Sequence, residues 1–426
     1  MSTITRPEPI SSAALDSAWV RAQFPSLKLN VNGQPAVFLD GPAGTQVPQR
    51  VIDAITDYLL YRNANNCGQF LTSKRTDETI AAAHAAMADF LNCDAKEVVF
   101  GPNMTTLTYA LSRSIGRELS PGDEIVITTL DHDANVWPWR ALEDHGITIR
   151  QADIRAEDCT LDMADLEAKI NSRTKLVAVG YAANAVGTIN DVEKVIQLAH
   201  RAGALAFIDA VHYAPHGPID VRALDCDFLA CSTYKFFGPH IGVLYGKAEH
   251  LKKFRPYKLR AAPEYLPDRW EWGTQNHECL AGVAAAVDYL ADLGRHSGGE
   301  RDRRAAILAA YGAIQAHERL LAEKLISGLL AISGLKFYGI SKREHFSHRV
   351  PTVAIRMDGF TPLEIARYLG ERGIFTWDGN YYALNLTERL VVEDKGGLLR
   401  IGIVHYNTAE EIDRLLNAFR GLAKSR

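Results

Sequence analysis

No apolar run in these 426 residues approaches the roughly 20 that a membrane-spanning helix needs. An excess of one charge is missing too. Lys and Arg number 47 against 51 Asp and Glu, a formal net charge of −4, which argues against nucleic acid or an anionic membrane as a partner. Cysteine is sparse and scattered. Cys67, Cys93, Cys159, Cys226, Cys231 and Cys279 form no Cys-x-x-Cys pair, so neither a zinc site nor a disulfide framework is expected, and a reducing compartment is. The stretch MSTITRPEPISSAALDSAW has no apolar centre of signal-peptide type. Together these absences predict a cytoplasmic protein. Internal repeats and low-complexity tracts are also lacking. What is present is an ordinary globular composition, 47% hydrophobic and 23% charged, in a chain long enough for a large domain and a smaller one.

The most informative stretch is Gly203 to Gly246. Two short apolar runs, Ala204–Ile208 and Phe228–Cys231, end on Asp209 and on Ser232-Thr233-Tyr234-Lys235. Such runs read as buried parallel strands. Residues just past their carboxyl ends face the crevice where open α/β sheets bind ligands. A lysine placed there among aromatics is partly desolvated, which lowers its pKa and makes its amine a nucleophile able to form a Schiff base. A carboxylate at the end of the neighbouring strand suits the pyridine nitrogen of pyridoxal phosphate (PLP). The competing reading of Asp209 and Lys235 is a buried structural ion pair.

The rest of the chain alternates strands and helices. Ala36–Asp40 reads as a strand running into the loop Gly41-Pro-Ala-Gly44-Thr45, either a plain turn or a pocket wall. Helices are expected over Pro48–Arg62 and Thr76–Leu91, separated by a polar loop that carries Cys67. After the strand Glu97–Phe100, the turn Gly101-Pro-Asn103-Met104-Thr105-Thr106 opens a helix. Its free N–H groups suit a phosphate, and Asn103 or Thr105 suits a cap. Strands at Asp123–Thr129 and Lys175–Val179 and a crossover helix at Val192–Arg201 complete a mostly parallel sheet with right-handed connections. Gly294–Glu300 reads as a hinge, followed by a long helix, Arg303–Ile332, and a small α+β unit. In that unit Thr361-Pro-Leu-Glu364 is a capping box. The expected organisation is an arm over residues 1–24, a large domain over 25–294 and a small C-terminal domain over 295–426, with the arm free to pack on the small domain.

Asp209-Ala-Val-His212, Ser232-Thr-Tyr-Lys235 and Gly238-Pro-His-Ile-Gly242 together resemble the class V aminotransferase family, particularly its cysteine desulfurase branch. So do His132-Asp-Ala-Asn135 with its Trp-Pro-Trp run, Asn184-Ala-Val-Gly187-Thr and Arg269-Trp-Glu271-Trp-Gly-Thr274-Gln-Asn276. The resemblance covers roughly residues 25–425. It implies the fold type I of PLP enzymes and a homodimer with shared active sites acting on an amino acid. It places Asp209 under the pyridine nitrogen, His212 on the ring hydroxyl and Lys235 on the cofactor. His132 stacks on the ring and shuttles protons. Asn103 and Met104 by their backbone, Ser232, Tyr234 and, from the neighbouring subunit, Thr274 serve the phosphate. Asn184 lies near both cofactor and substrate carboxylate, and Arg400 grips that carboxylate with two prongs. The usual family residues at 212 and 234 are Gln and His, so the chain departs there.

A larger departure concerns sulfur. Persulfide-forming desulfurases carry a nucleophilic cysteine on a loop just before the strand with the carboxylate-binding arginine. The matching stretch here, Gly373 to Ala383, has none, and no cysteine follows Cys279. Its Trp377, Tyr381 and Tyr382 suggest a substrate-shaping wall. The expected activity is therefore a PLP-dependent C–S lyase on cysteine or an S-substituted cysteine, with Lys235 removing the α-proton from the substrate's external aldimine. The alternatives are a desulfurase with a thiol relocated to Cys67, an aminotransferase or racemase, and a PLP-binding scaffold without turnover.

Overall fold

Seven strands, most of them rich in Val, Ile, Leu, Ala and Phe, form the main sheet of the computed structural model, which describes residues 15–424. They are β1 (Val98–Gly101), β2 (Glu124–Thr128), β3 (Thr148–Ala152), β4 (Thr174–Gly180), β5 (Leu205–Asp209), β6 (Phe228–Ser232) and β7 (Gly242–Gly246). The order across the sheet is β1-β7-β6-β5-β4-β2-β3. Only β7 runs against its neighbours; the other pairings are parallel. The carboxyl ends of six strands therefore lie along one edge, and the motifs at His132, Asn184, Asp209 and Ser232–Lys235 follow those ends.

Helices cover both faces, as continuous burial of β1, β2, β6 and β7 requires. The Val192–Arg201 helix shows how local signals produce one. Asp191 accepts from the Lys194 N–H and caps its start. Val195, Ile196, Leu198 and Ala199 recur at helical spacing and are buried. Gly203 ends it in the left-handed region, with φ of +74°. The helix expected from Thr76 instead starts at Leu71. Phe70 gives no capping side chain, and both Phe70 and Leu71 face solvent, 58% and 64% exposed, so no amphipathic pattern marks that start. Ser73 fixes the preceding loop by accepting from Gly68 N–H and donating to the Asn65 carbonyl, both at 2.6 Å.

A second, antiparallel sheet contains β8 (Leu335–Tyr338), β9 (Thr352–Met357), β10 (Trp377–Gly379) and β11 (Leu398–Gly402), in the order β8-β9-β11-β10. Thr361 and Glu364 form the expected capping box, with Pro362 at the first helical position. The Arg303–Leu330 helix joins the two parts. Its Ala306, Ile307, Ala310, Tyr311 and Ile314 enter the core of the main sheet. Leu321, Leu325, Ile326 and Leu329 enter the core of the second. The stretch after Leu15 packs Trp19, Val20 and Phe24 against the main core, while Arg21 reaches Glu411 at 2.9 Å. Of the expected arm over residues 1–24, residues 1–14 lie outside the described residues. No helix among the described residues is long and apolar enough to cross a membrane.

Candidate active site

The carboxyl edge of β1, β2, β4, β5 and β6 forms one wall of a cleft of about 1330 Å³, and residues 377–382 and 393–400 form the facing wall. Lys235 sits in the turn directly after β6. Its Nζ donates to the carbonyls of Pro42 (2.5 Å) and Ala43 (3.0 Å). The Gly41–Thr45 loop is thus a pocket wall, holding the amine through backbone oxygens that any residue there supplies. Burial brings the Lys235 pKa down to about 7, helped by the Arg400 charge and opposed by Asp209. An amine so poised is substantially neutral at physiological pH, the state a nucleophile or base needs.

Asp209 ends β5 and is buried, its Oδ1 accepting from Val211 N–H at 2.9 Å. Burial raises its pKa to about 6, and Lys235 pulls the other way. Beside it lies Asp131, which the motif reading passed over. Thr128 Oγ1 donates to one of its oxygens at 2.8 Å and Gly180 N–H to the other at 2.5 Å. Burial, with Asp209 adding, lifts Asp131 to about 7. A Cβ on Gly180 would stand 2.6 Å from that carboxylate, so the glycine is the only sequence trace of the arrangement.

His132 follows β2 and lines the cleft. Its Nδ1 accepts from Ala134 N–H at 2.9 Å, which leaves the ring proton on Nε2. Burial, then Lys235 and Arg400, depress its pKa to about 3, so the imidazole is neutral. At the far end of the cleft, Asn103 Oδ1 accepts from Thr106 N–H at 2.8 Å and caps the Met104–Gly116 helix. Met104 N–H donates to Ser232 Oγ at 3.3 Å. The helix start can press against β7 because residue 242 is glycine: a Cβ there would meet the Asn103 carbonyl carbon at 2.2 Å.

The opposite wall is aromatic. Arg400, in β11, is 5% exposed and donates to the Asn184 carbonyl at 3.0 Å. Its guanidinium lies 4.2 Å from the Tyr381 ring centre. Burial lowers its pKa to about 10, yet it stays charged, and among the described residues no carboxylate lies within ion-pair distance of it. Asn184 donates to the Tyr381 carbonyl at 2.9 Å, while its Oδ1 is buried with no partner. Tyr381 is anchored by its hydroxyl to the Leu398 carbonyl. Tyr381 and Tyr382 both hold left-handed backbone, φ 57° and 58°, an uncommon conformation for bulky residues that the surrounding contacts must maintain. Trp377 and Tyr382 stand half to mostly exposed at the mouth.

His212 lines the cleft floor, buried, with Nε2 3.0 Å from Thr352 Oγ1. Tyr234 lines it too, its ring stacked on His240 at 4.7 Å. The structure thus brings together Asn103, Met104, His132, Asn184, Asp209, His212, Ser232, Tyr234, Lys235, Trp377, Tyr381 and Arg400. Thr274 is not among them: it is exposed and lies off this chain's own cleft. Cys67 is likewise exposed and outside the lining, in left-handed backbone with its N–H on Asp77 at 3.0 Å. Among the described residues no group of three or more His, Cys, Asp or Glu side chains is placed to hold a metal.

The lining fits PLP. A desolvated lysine, a carboxylate at the next strand end, the start of the Met104–Gly116 helix and an orphaned buried Asn184 oxygen would supply an anchor, a pyridine partner, a phosphate seat and a spare acceptor. Fold and site together define a lysine-anchored PLP enzyme built on a mostly parallel sheet. Comparison with known proteins agrees. The sequence model of aminotransferase class-V matches residues 37–415. A cysteine desulfurase of Dickeya dadantii (strain 3937) is 34% identical over 93% of this chain and 94% of its own length. A probable cysteine desulfurase of Halalkalibacterium halodurans is 32% identical over 96% and 97%. The apo structure of the cysteine desulfurase from Thermococcus onnurineus NA1 superposes with a TM-score of 0.86 at 26% identity, covering 98% of this chain and all of that one. That of a cysteine desulfurase from Escherichia coli, in its S-sulfonic acid form, gives 0.82 at 28%, covering 97% and 99%. The chain belongs to the class-V aminotransferase family and is a PLP-dependent enzyme of fold type I.

Proposed function

We propose that this enzyme is a C–S lyase acting on cysteine or an S-substituted cysteine. The observation that carries the proposal is the wall facing Arg400. Residues 373–383 contain no thiol. The Tyr381 and Tyr382 carbonyls are tied to Asn184 and to Asp133 N–H on the large-domain side. A thiolate must reach the substrate sulfur to take it, and Cys67 lies off the cleft. Elimination needs no such thiol. When bound, PLP supplies an electron sink for the pair left at the α-carbon. Lys235 Nζ would hold the cofactor and then take the α-proton; the C–S bond would break with its pair going to sulfur, and water would complete the conversion of cysteine to pyruvate, ammonia and sulfide.

The other residues take their places around that step. Asp209 would partner the pyridine nitrogen, His212 the ring oxygen and neutral His132 the ring face. The backbone at Asn103 and Met104, with Ser232 and Tyr234, would receive the phosphate. Arg400 and Asn184 hold the substrate carboxylate by charge-assisted hydrogen bonds, and Trp377 and Tyr381 shape the space for its side chain. The work is divided between a cofactor-binding domain over residues 25–294 and a small domain over 295–426. A homodimer in the cytoplasm completes the proposal. Leu59, Leu60, Tyr61, Phe70 and Leu71 are each at least half exposed, an apolar face of the kind that marks a protein interface, and Thr274 of the partner subunit would join the phosphate site.

Product analysis with L-cysteine, L-cystine and a bulky S-substituted cysteine tests this. Pyruvate and ammonia, unchanged in Cys67→Ser, support the lyase. Alanine with protein-bound sulfur points to a desulfurase using Cys67. A keto acid formed with retention of sulfur points to transamination.

A further inference from the structure

His212 has one ring nitrogen committed inside the protein, and the committed partner comes from the other sheet. Nε2 stands 3.0 Å from Oγ1 of Thr352, the first residue of β9, which is fully buried. Thr352 has no room to move. Its carbonyl accepts from Arg349 Nη2 at 2.5 Å, and a Cβ on the facing Gly187 would stand 2.4 Å from that carbonyl oxygen. The far side of His212 is equally fixed. The His216 ring packs edge-on at 5.7 Å, and its Nδ1 is 2.8 Å from Glu318 Oε2, with both side chains under 5% exposed.

A neutral imidazole carries one ring proton, and the partners decide where it sits. If Nε2 carried it, Nε2–H would donate to Thr352, and the Thr352 hydroxyl proton would be buried without an acceptor, because Oγ1 has no other partner among the described residues. If the hydroxyl donates to Nε2, both groups are satisfied. The ring proton then sits on Nδ1, and His212 offers a donor to the cleft that it lines. The charged or titratable groups facing this imidazole are His216, Arg400, Lys235 and His132. Each opposes a second proton, so the neutral ring persists.

We propose that Thr352 is a positioning residue: its hydroxyl donates to Nε2 and fixes His212 as the Nδ1–H tautomer, so that His212 donates a hydrogen bond to the anionic ring oxygen of the cofactor. The last clause rests on the PLP reading above; the tautomer does not. Through this contact the small domain bears directly on the cofactor's acidity.

The test has two arms on the full-length protein. In cofactor-free protein labelled with ¹⁵N-histidine, and assigned by loss of signal in His212→Gln, Nε2 shows the shift of an unprotonated nitrogen and Nδ1 that of a protonated one. Thr352→Ser keeps this pattern, and Thr352→Val mixes the tautomers. In PLP-loaded protein, a donor to an anionic oxygen favours the anionic form. Thr352→Val therefore moves the pH midpoint of the visible absorbance change upward by about half to one unit, and Thr352→Ser leaves it in place. A proton found on Nε2 of the wild-type His212 overturns the proposal, whether or not the valine variant folds. An unmoved midpoint in a folded Thr352→Val overturns the coupling to the cofactor. Absence of any visible band, with the expected tautomer present, removes the PLP reading and leaves the Thr352–His212 assignment standing.

Discussion

The two walls of the cleft are built from different materials. On the main-sheet side, Asp131, His132, Asp209 and Lys235 are polar groups at the ends of buried strands, and burial shifts each of them toward neutrality. On the second-sheet side, Trp377, Tyr381 and Tyr382 line the cleft with the cation Arg400, in backbone that is partly left-handed. The first wall has its geometry fixed by parallel strand register, Asp209 lying between Gly180 and Ala230. The second hangs on side-chain anchors such as the Tyr381 hydroxyl. This contrast separates the duties proposed above: the sheet edge tunes the chemistry, and the aromatic wall selects what enters.

The comparison is broken most severely at Lys235. Lys235→Ala is expected to abolish the visible absorbance of the bound cofactor together with all turnover, and measurable activity in that variant would end the scheme. Next comes Arg400→Ala. Loss of charge-assisted hydrogen bonds of about 1.5–3 kcal/mol predicts a drop of about ten- to a hundredfold in kcat/KM. The cofactor spectrum should stay intact; a lost spectrum would place Arg400 with the cofactor instead.

A third test uses pH. Asp131 is raised from 3.8 to about 7 in the fold, so between those values the folded chain holds a proton that the unfolded chain has released. Stability contributed by this group therefore falls as pH rises through that window. Asp131→Asn should flatten the decline in melting temperature of cofactor-free protein between pH 5 and 7, and an unchanged slope would show that the carboxyl does not titrate there.

Trp377→Ala sharpens the other side. Removing one partly exposed contact, worth about 1 kcal/mol, should change the preference between a bulky S-substituted cysteine and L-cysteine about fivefold. Equal effects on both would deny the wall a role in selection. The smallest effect is expected from Cys67→Ser, whose kcat should equal that of the unaltered enzyme; a large loss would bring Cys67 into the reaction.

Much of the main-sheet wall was legible because its residues lie within a few positions of strand ends that periodicity reveals. Asp209 and Lys235 bound the two apolar runs, and His132 follows a third. Asp131 stands next to His132, but its role comes from Gly180, which ends the neighbouring strand β4, 49 positions along the chain, and carries no side chain to announce it. The Lys235 contacts to Pro42 and Ala43 are to carbonyls, so residue identity gives no hint of them. The early start of the Leu71–Leu91 helix was hidden by its exposed, uncapped first turn.

By itself the sequence determined the strand–helix alternation, the lysine and carboxylate at adjoining strand ends and the absence of a thiol from the loop before Arg400. These follow from local periodicity and from which residues are present. Only the tertiary structure decided that residues 377–382 and 393–400 face the strand ends across the cleft, that Thr352 meets His212 across 140 positions of chain, and how far burial moves each ionisable group. Such contacts and pKa shifts depend on what surrounds a side chain from distant segments, and no local pattern encodes that surrounding.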